Sequence, residues 1–129
     1  MTTFTPRTAR AALVALRPVA ERSSRVARIM AGMRPKHRLS DARVDPEYFG
    51  LLTALLGALE TLRSAGVRIQ DPAAGLLDFP ARRAGRAVFL CWRIGEPSLG
   101  HWHEVDAGFA GRRPVDEDGP WEDDGGPVR

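Results

Sequence analysis

The sequence predicts an α+β fold in which an antiparallel helical hairpin packs with a small antiparallel β-sheet of three or four strands. Up to residue 65, apolar residues recur at three- and four-residue steps, which is the period of amphipathic helices. After Gly66 the period becomes two, which is the period of strands. Turn residues separate the short segments of this second half, as expected for consecutive antiparallel strands.

The first helix is predicted over residues 6–32. Thr5 is a good cap for a free backbone N–H, and Pro6 suits the first helical position. Pro18 removes one hydrogen bond inside the helix, so a kink or a break is expected there. Gly32 ends the pattern. The apolar positions that share one face are Leu13, Leu16, Ala20, Ala27 and Met30.

The second helix is predicted over residues 46–65, after a basic connection that follows the first helix. Asp45 is a cap, Pro46 starts the helix, and Gly66 is a natural left-handed stop. One strongly apolar face is built from Phe49, Leu52, Leu55, Leu56, Leu59 and Leu62. Because the connection is short, we expect this face to pack against the apolar face of the first helix.

The sheet is predicted over residues 67–106. Its clearest strand is 86–94, and the loop 95–99 joins that strand to the last one as a hairpin. The other strand candidates are 67–70, 76–79 and 100–106. Residues 1–113 are therefore interpreted as one domain.

The C-terminal segment 114–129 differs in composition from the rest of the chain. It carries six of the 16 acidic residues and is rich in Gly and Pro, so we expect it to be disordered. The remaining chain is basic, and its short basic run Arg34–Arg38 is a candidate for contact with nucleic acid. The absence of a nucleic-acid-binding motif favours solvated arginines over a nucleic-acid interface.

Three features favour a cytoplasmic protein without a membrane segment. The N-terminus lacks the pattern of a signal peptide, and no apolar run approaches the roughly 20 residues that span a bilayer. The single cysteine, Cys91, excludes an intrachain disulfide, as is usual in a reducing compartment.

Two histidines and the cysteine suggest a metal site on the predicted sheet. His101 and His103 share a face of their strand because side chains two residues apart point the same way. If the hairpin closes with Ile94 opposite Gly100, Cys91 meets His103 on that face. A thiolate and two imidazoles are ligands for zinc or iron, with a carboxylate or water completing the coordination.

Two metal-free interpretations remain open. His103 is a candidate general base, oriented by Glu104, Asp106 or Asp78, and Cys91 beside it is a candidate activated thiol. Alternatively, Cys91 is a small buried hydrophobe and His103 is hydrogen-bonded to a backbone carbonyl or to Asp78, while His101 is half exposed.

Further polar residues around this segment are candidate ligand-binding groups. Flexible backbone and two guanidinium groups at 108–113 suit a phosphate or carboxylate. The candidate ligand-binding residues are Asp78, Arg82, Arg93, Glu96 and Arg112.

Four motifs together resemble a known family. They are the Leu-x-x-Leu-Arg-Pro helix from Leu13 to Pro18, the Gly-Leu-Leu-Asp-Phe-Pro-Ala run at 75–81, Leu-Cys-Trp-Arg-Ile-Gly-Glu-Pro at 90–97 and Trp-His-Glu-Val-Asp-Ala-Gly-Phe-Ala-Gly-Arg at 102–112. They are similar to the bacterial domain-of-unknown-function family 2203, over most of residues 4–114.

The resemblance implies where to look rather than what the protein does, because the family brings no established activity. Its motif-bearing parts are the Asp-Phe-Pro, Cys-Trp-Arg and Trp-His-Glu strands. His103, Glu104 and Asp106 match the motif, whereas His101 falls at a position where the family has varied or aromatic residues. His103 is therefore the strongest site candidate.

Two functions of different classes follow from these observations. The first is a metal or small-molecule site on the C-terminal sheet around His103, with catalysis left open. The second is a non-catalytic adaptor or regulatory subunit that binds a protein or forms a homodimer, since so few strands leave an exposed edge.

Overall fold

The protein combines two helices with a five-stranded sheet, in a computed structural model that describes residues 3–33 and 45–122. The helices are α1, Pro6–Ala31, and α2, Pro46–Ser64. The strands are β1, Arg68–Asp71; β2, Leu76–Arg83; β3, Arg86–Arg93; β4, His101–Glu104; and β5, Arg113–Pro114. All neighbouring strands are antiparallel, in the order β1-β2-β3-β4-β5. The predicted α+β class is confirmed, and the sheet has one strand more than the upper prediction.

Helix α1 begins at the predicted residue and runs without interruption through Pro18. Thr5 and Thr8 form a reciprocal capping box at its start. The sequence predicts a kink or a break at Pro18, and the break does not occur. Pro18 and Val14 are both exposed, so solvent has access to the Val14 carbonyl, which Pro18 leaves without its helical N–H partner.

One face of the sheet packs on α1 and on the end of α2 to form the hydrophobic core. Alternate residues of three strands supply this face, as period-two burial requires. The buried core residues include Leu13, Leu16, Leu62, Leu77, Phe79, Leu90, Trp92 and Trp102. The side chains between them in sequence therefore point to the opposite face of the sheet.

Helix α2 buries less of its apolar face than the sequence predicts. Along this helix Ala58 and Leu62 are buried, whereas the side chains of Phe49 and Leu56 are 54% and 56% exposed. The apolar residues of α2 occupy about half of its circumference. A single neighbouring helix buries a narrower stripe, so part of the apolar surface of α2 remains exposed. Among the described residues, neither helix is long and apolar enough to cross a bilayer.

The hairpin of β3 and β4 closes two residues away from the predicted register. Cys91 is opposite His101, and Phe89 is opposite His103. The loop is longer than expected because Leu99 is buried in the core and the Trp92 indole donates to the Glu96 carbonyl at 3.0 Å. A shift of two residues keeps each side chain on its predicted face.

The first part of the acidic C-terminal segment, residues 114–122, lies against the sheet. The Val115 amide donates to the Gly100 carbonyl, and Trp121 forms a bridge with Arg83. The Arg83 guanidinium lies 4.7 Å from the centroid of the Trp102 ring and 5.3 Å from that of the Trp121 ring. Aromatic and ionic contacts thus hold residues 114–122 against the sheet, whereas 123–129 and the basic connection 34–44, including Arg34–Arg38, lie outside the described residues.

Candidate functional site

The sheet face opposite the helices carries a buried polar cluster. Asp78 on β2, Cys91 on β3 and His103 on β4 lie on this face because each alternates with core residues along its strand. Each side chain is almost fully buried, at 0%, 2% and 1% exposure. Their potential ligand atoms all lie within 4.8 Å of one another. Three neighbouring strands therefore hold a carboxylate, a thiol and an imidazole together.

The hydrogen bonds of His103 define the roles of its two nitrogens. Nδ1 lies 2.7 Å from the Glu104 carbonyl, and Nε2 lies 3.1 Å from Oδ1 of Asp78. Because a carbonyl oxygen only accepts, Nδ1 carries a proton and donates it. Nε2 is thus the nitrogen that points into the cluster. Both contacts agree with the pairing of His103 with a backbone carbonyl or Asp78 that the sequence suggested.

Arg68 closes the cluster on the side of β1. Its Nη2 donates to Oδ2 of Asp78 at 2.8 Å, and its guanidinium lies 4.3 Å from the centroid of the Phe89 ring. The Phe89 ring in turn packs 5.6 Å from the His103 ring. Sequence reasoning missed Arg68, because only its pairing opposite Asp78 across two strands gives it this position.

Burial makes Cys91 a poor nucleophile. It raises the pKa of the thiol to about 12, with the negative charge of Asp78 as the next largest cause. The thiol is therefore protonated at neutral pH, whereas an activated cysteine needs a lowered pKa. The environment of Cys91 does not support the activated-thiol interpretation.

His101 belongs to a separate cluster instead of the predicted ligand set. Arg112 Nη2 donates to His101 Nδ1 at 2.7 Å and to Glu96 Oε2 at 2.6 Å. The His101 side chain is 39% exposed. The sequence thus places Cys91 and His103 together correctly, but Asp78 takes the place expected for His101. The cause is the long loop, which brings Glu96 and Arg112 next to His101.

The other two predicted catalytic residues lie outside the buried cluster of the described residues. The Glu104 side chain forms an ion pair with Arg86 at 2.6 Å, and alternation along β4 puts it on the helix side. Asp106 is exposed in the turn after β4. The backbone carbonyl of Glu104, rather than its carboxylate, orients the imidazole.

The remaining predicted ligand-binding residues are spread over two places. Arg93 lies with Arg112 around the ring of Phe109, near Glu96. Arg82 is at the far end of β2, where it donates to the Gly85 carbonyl and lies 3.5 Å from Glu122. Within the described residues, only Asp78 of this predicted group is part of the buried cluster.

Comparison with known proteins gives the family of the chain. A family model described as "Uncharacterized conserved protein (DUF2203)" matches residues 2–115, which includes all three residues of the buried cluster. No curated protein and no solved structure matches the chain. Since the match covers most of the sequence, this protein belongs to the DUF2203 family.

Proposed function

We propose that Asp78, Cys91 and His103 bind one transition-metal ion, zinc or ferrous iron, on the sheet face opposite the helices. The observation that carries this proposal is the approach of three different ligand atoms within 4.8 Å. A thiolate with an imidazole and a carboxylate suits zinc, and the same donor set also accepts iron.

The spacing of the ligand atoms fits a tetrahedral ion. Zinc–nitrogen bonds of about 2.0–2.1 Å and zinc–sulfur bonds of about 2.3 Å separate neighbouring ligand atoms by roughly 3.3–3.8 Å. The 3.1 Å between His103 Nε2 and Asp78 Oδ1 is close to that range. The other ligand distances are at most 4.8 Å, so side-chain shifts of up to about an ångström would bring all three atoms into the tetrahedral range.

The surroundings of His103 and Asp78 support the same proposal. Metal-binding histidines almost always donate their other N–H to a carboxylate or carbonyl, which fixes the orientation of the ring. The bond from His103 Nδ1 to the Glu104 carbonyl has this arrangement. Arg68 holds one oxygen of Asp78 and leaves the other facing the imidazole.

Three protein ligands leave a fourth position for water or a small molecule, which is the pattern of catalytic zinc sites. An ion would also deprotonate the Cys91 thiol, since a coordinating thiol loses its proton. Catalysis at this site further requires a path for the substrate to reach the ion, because all three side chains are buried. We therefore assign metal binding first and treat a reaction as its extension.

The test compares metal binding of two histidine variants. We expect protein purified without chelators to contain close to one zinc or iron ion per chain. His103→Ala should weaken binding by more than the 10–100-fold that loss of an outer-shell partner causes. His101→Ala is the matched control, because His101 lies two residues away on the same strand but bonds to Arg112. Elemental analysis and titration with cobalt(II), monitored by thiolate-to-metal absorption, measure both.

Two results would contradict the metal proposal. The first is a wild-type protein that binds neither zinc nor cobalt(II) when these are added after chelator treatment. The second is an equal loss of metal in the His101→Ala control, which would mean that binding depends on general integrity of the sheet.

A second candidate function, self-association through α2, rests on the exposed apolar residues of that helix. Phe49, Leu52, Leu56 and Leu59 follow each other at three- and four-residue steps, and the first and third are more than half exposed. Such a seam is typical of helix pairing. Its charged neighbours Glu60 and Arg63 form an ion pair at 2.7 Å and so add no net charge beside the seam. The exposed side of α1, in contrast, is rich in arginine.

Charge substitution on α2 tests this second function. We expect the wild type to sediment as a dimer at micromolar concentration and Leu56→Glu to sediment as a monomer, because a carboxylate at the seam would be buried without a partner. Val14→Glu is the control, since Val14 is 78% exposed on α1, away from the seam. A monomeric wild type, or a Leu56→Glu variant that remains dimeric, would exclude this interface.

A further inference from the structure

A cleft of about 350 Å³ lies beside the buried cluster, and nothing in the metal proposal accounts for it. It borders the outer half of the β2–β3 hairpin and the residue after β4. Its walls are mostly apolar and include Pro80, Phe89 and Val105, while Arg68, Arg82 and Thr3 supply polar groups. The volume is within the usual range of small-molecule sites.

The polar groups of the cleft favour an anion. The described lining residues include two arginines and no acidic residue. Arg68 and Arg82 are 49% and 42% exposed, so their remaining N–H groups are accessible. Within the described part of the chain, the Thr3 hydroxyl oxygen is buried and has no hydrogen-bond partner. A buried polar atom in this state is unfavourable, and a polar group of a ligand would satisfy it.

The charge balance favours a single negative charge on the ligand. Asp78 pairs with Arg68, and Glu122 lies 3.5 Å from Arg82, so both arginines are already partly neutralised. A monoanionic carboxylate therefore suits the cleft better than a doubly charged phosphate. A guanidinium binds a carboxylate through two parallel hydrogen bonds, and Arg68 uses one Nη2 bond on Asp78.

We propose that this cleft binds a small carboxylate with an apolar body, with its carboxylate on Arg68 and its body against Phe89 and Val105. The site is independent of the metal, since none of the three proposed metal ligands lines the cleft. Arg68 and Phe89 nevertheless contact Asp78 and His103, so a bound ligand would lie next to the cluster.

The experiment is an NMR titration of the full-length protein in the presence of a chelator, so that its result does not depend on metal. The probes are 3-phenylpropionate and its neutral analogue 3-phenylpropionamide. We expect the acid to give saturable shifts of the Phe89 and Val105 amides. The amide probe should bind at least about tenfold more weakly, because it lacks the negative charge and the second acceptor oxygen of a bidentate pair with Arg68.

Variants locate the site and its charge contact. Val105→Trp, at a position that is 52% exposed, fills the cleft and should abolish binding of both probes without unfolding the protein. Arg68→Gln should reduce binding of the acid to the level of the amide probe. Arg113→Gln is the control, because Arg113 is an exposed arginine that lies on Trp102, outside the cleft.

Several outcomes would overturn the proposal. They are the absence of saturable binding by the wild type, equal affinity for the two probes, unchanged binding by Val105→Trp, and equal losses in Arg68→Gln and Arg113→Gln. None of them bears on metal binding by Asp78, Cys91 and His103, which the elemental analysis measures separately.

Discussion

Asp78→Ala is expected to lower the free energy of unfolding by about 1–3 kcal/mol, the usual cost of leaving a buried hydrogen-bonding group without its partner. The carboxylate accepts from Arg68 on one oxygen and contacts His103 Nε2 on the other. In the variant the His103 ring, which is 1% exposed, would keep its bond to Glu104 and lose its second partner. Urea denaturation monitored by tryptophan fluorescence, with chelator present, measures the change.

Two further variants make this stability prediction specific. Asp78→Asn keeps the shape and one acceptor, so it should be less destabilising than Asp78→Ala. Glu60→Ala removes an exposed carboxylate from a local pair with Arg63 and should leave stability unchanged within error. If Asp78→Ala were as stable as Glu60→Ala, the cluster would not be buried in solution, and the metal proposal would lose its geometric basis.

The Cys91 thiol is expected to react at least about a hundredfold more slowly with a disulfide reagent at pH 8 than the same thiol in urea-unfolded protein, because its raised pKa and its burial both slow the reaction. Burial raises the pKa of the thiol to about 12 from an ordinary value of 9.0. Since the thiolate is the reactive form, its smaller population in the folded protein slows the reaction, and burial of the sulfur restricts access to the reagent. The rate is measured on metal-free protein from the absorbance of the thiol that the reagent releases. A rate within tenfold of the unfolded protein would contradict the environment described for Cys91.

The same pKa shift predicts a loss of stability at alkaline pH. The unfolded chain releases the thiol proton near pH 9, whereas the folded chain keeps it up to about pH 12. The stabilisation is fully present below pH 9 and falls as the pH rises towards 12, because the unfolded state binds fewer protons there. Cys91→Ala removes this group, so the difference in unfolding free energy between the wild type and the variant should shrink across that interval. A constant difference would mean that the thiol titrates alike in both states.

Bound metal should remove the proton that the buried Cys91 thiol otherwise keeps at neutral pH. Coordination by zinc replaces the thiol proton, so metal binding should release a proton and become weaker as the pH falls. Proton release measured with an indicator dye during zinc titration should therefore be larger for the wild type than for Cys91→Ala if Cys91 coordinates the ion.

The amino-acid sequence by itself determined the two helices, the positions of the main strands and the face on which each site residue lies. Thr5 and Pro6 start α1, and Asp45 and Pro46 start α2, as the local capping pattern predicts. Cys91 and His103 share a face of the sheet in both the predicted and the observed register. The two registers differ by two residues, and only a shift by an odd number would move a side chain to the other face. These features depend on neighbours within a few positions along the chain.

Only the tertiary structure decided which residues meet on that face. Burial of Leu99 and the bond from Trp92 to Glu96 set the hairpin register, which turns His101 towards Arg112. Pairing across β1, β2 and β3 brings Arg68 and Asp78 next to Cys91. Such contacts depend on loop length and on pairings between distant segments, which local periodicity does not encode. The sequence therefore predicts a polar sheet face, and its tertiary packing makes a buried Asp–Cys–His cluster of it.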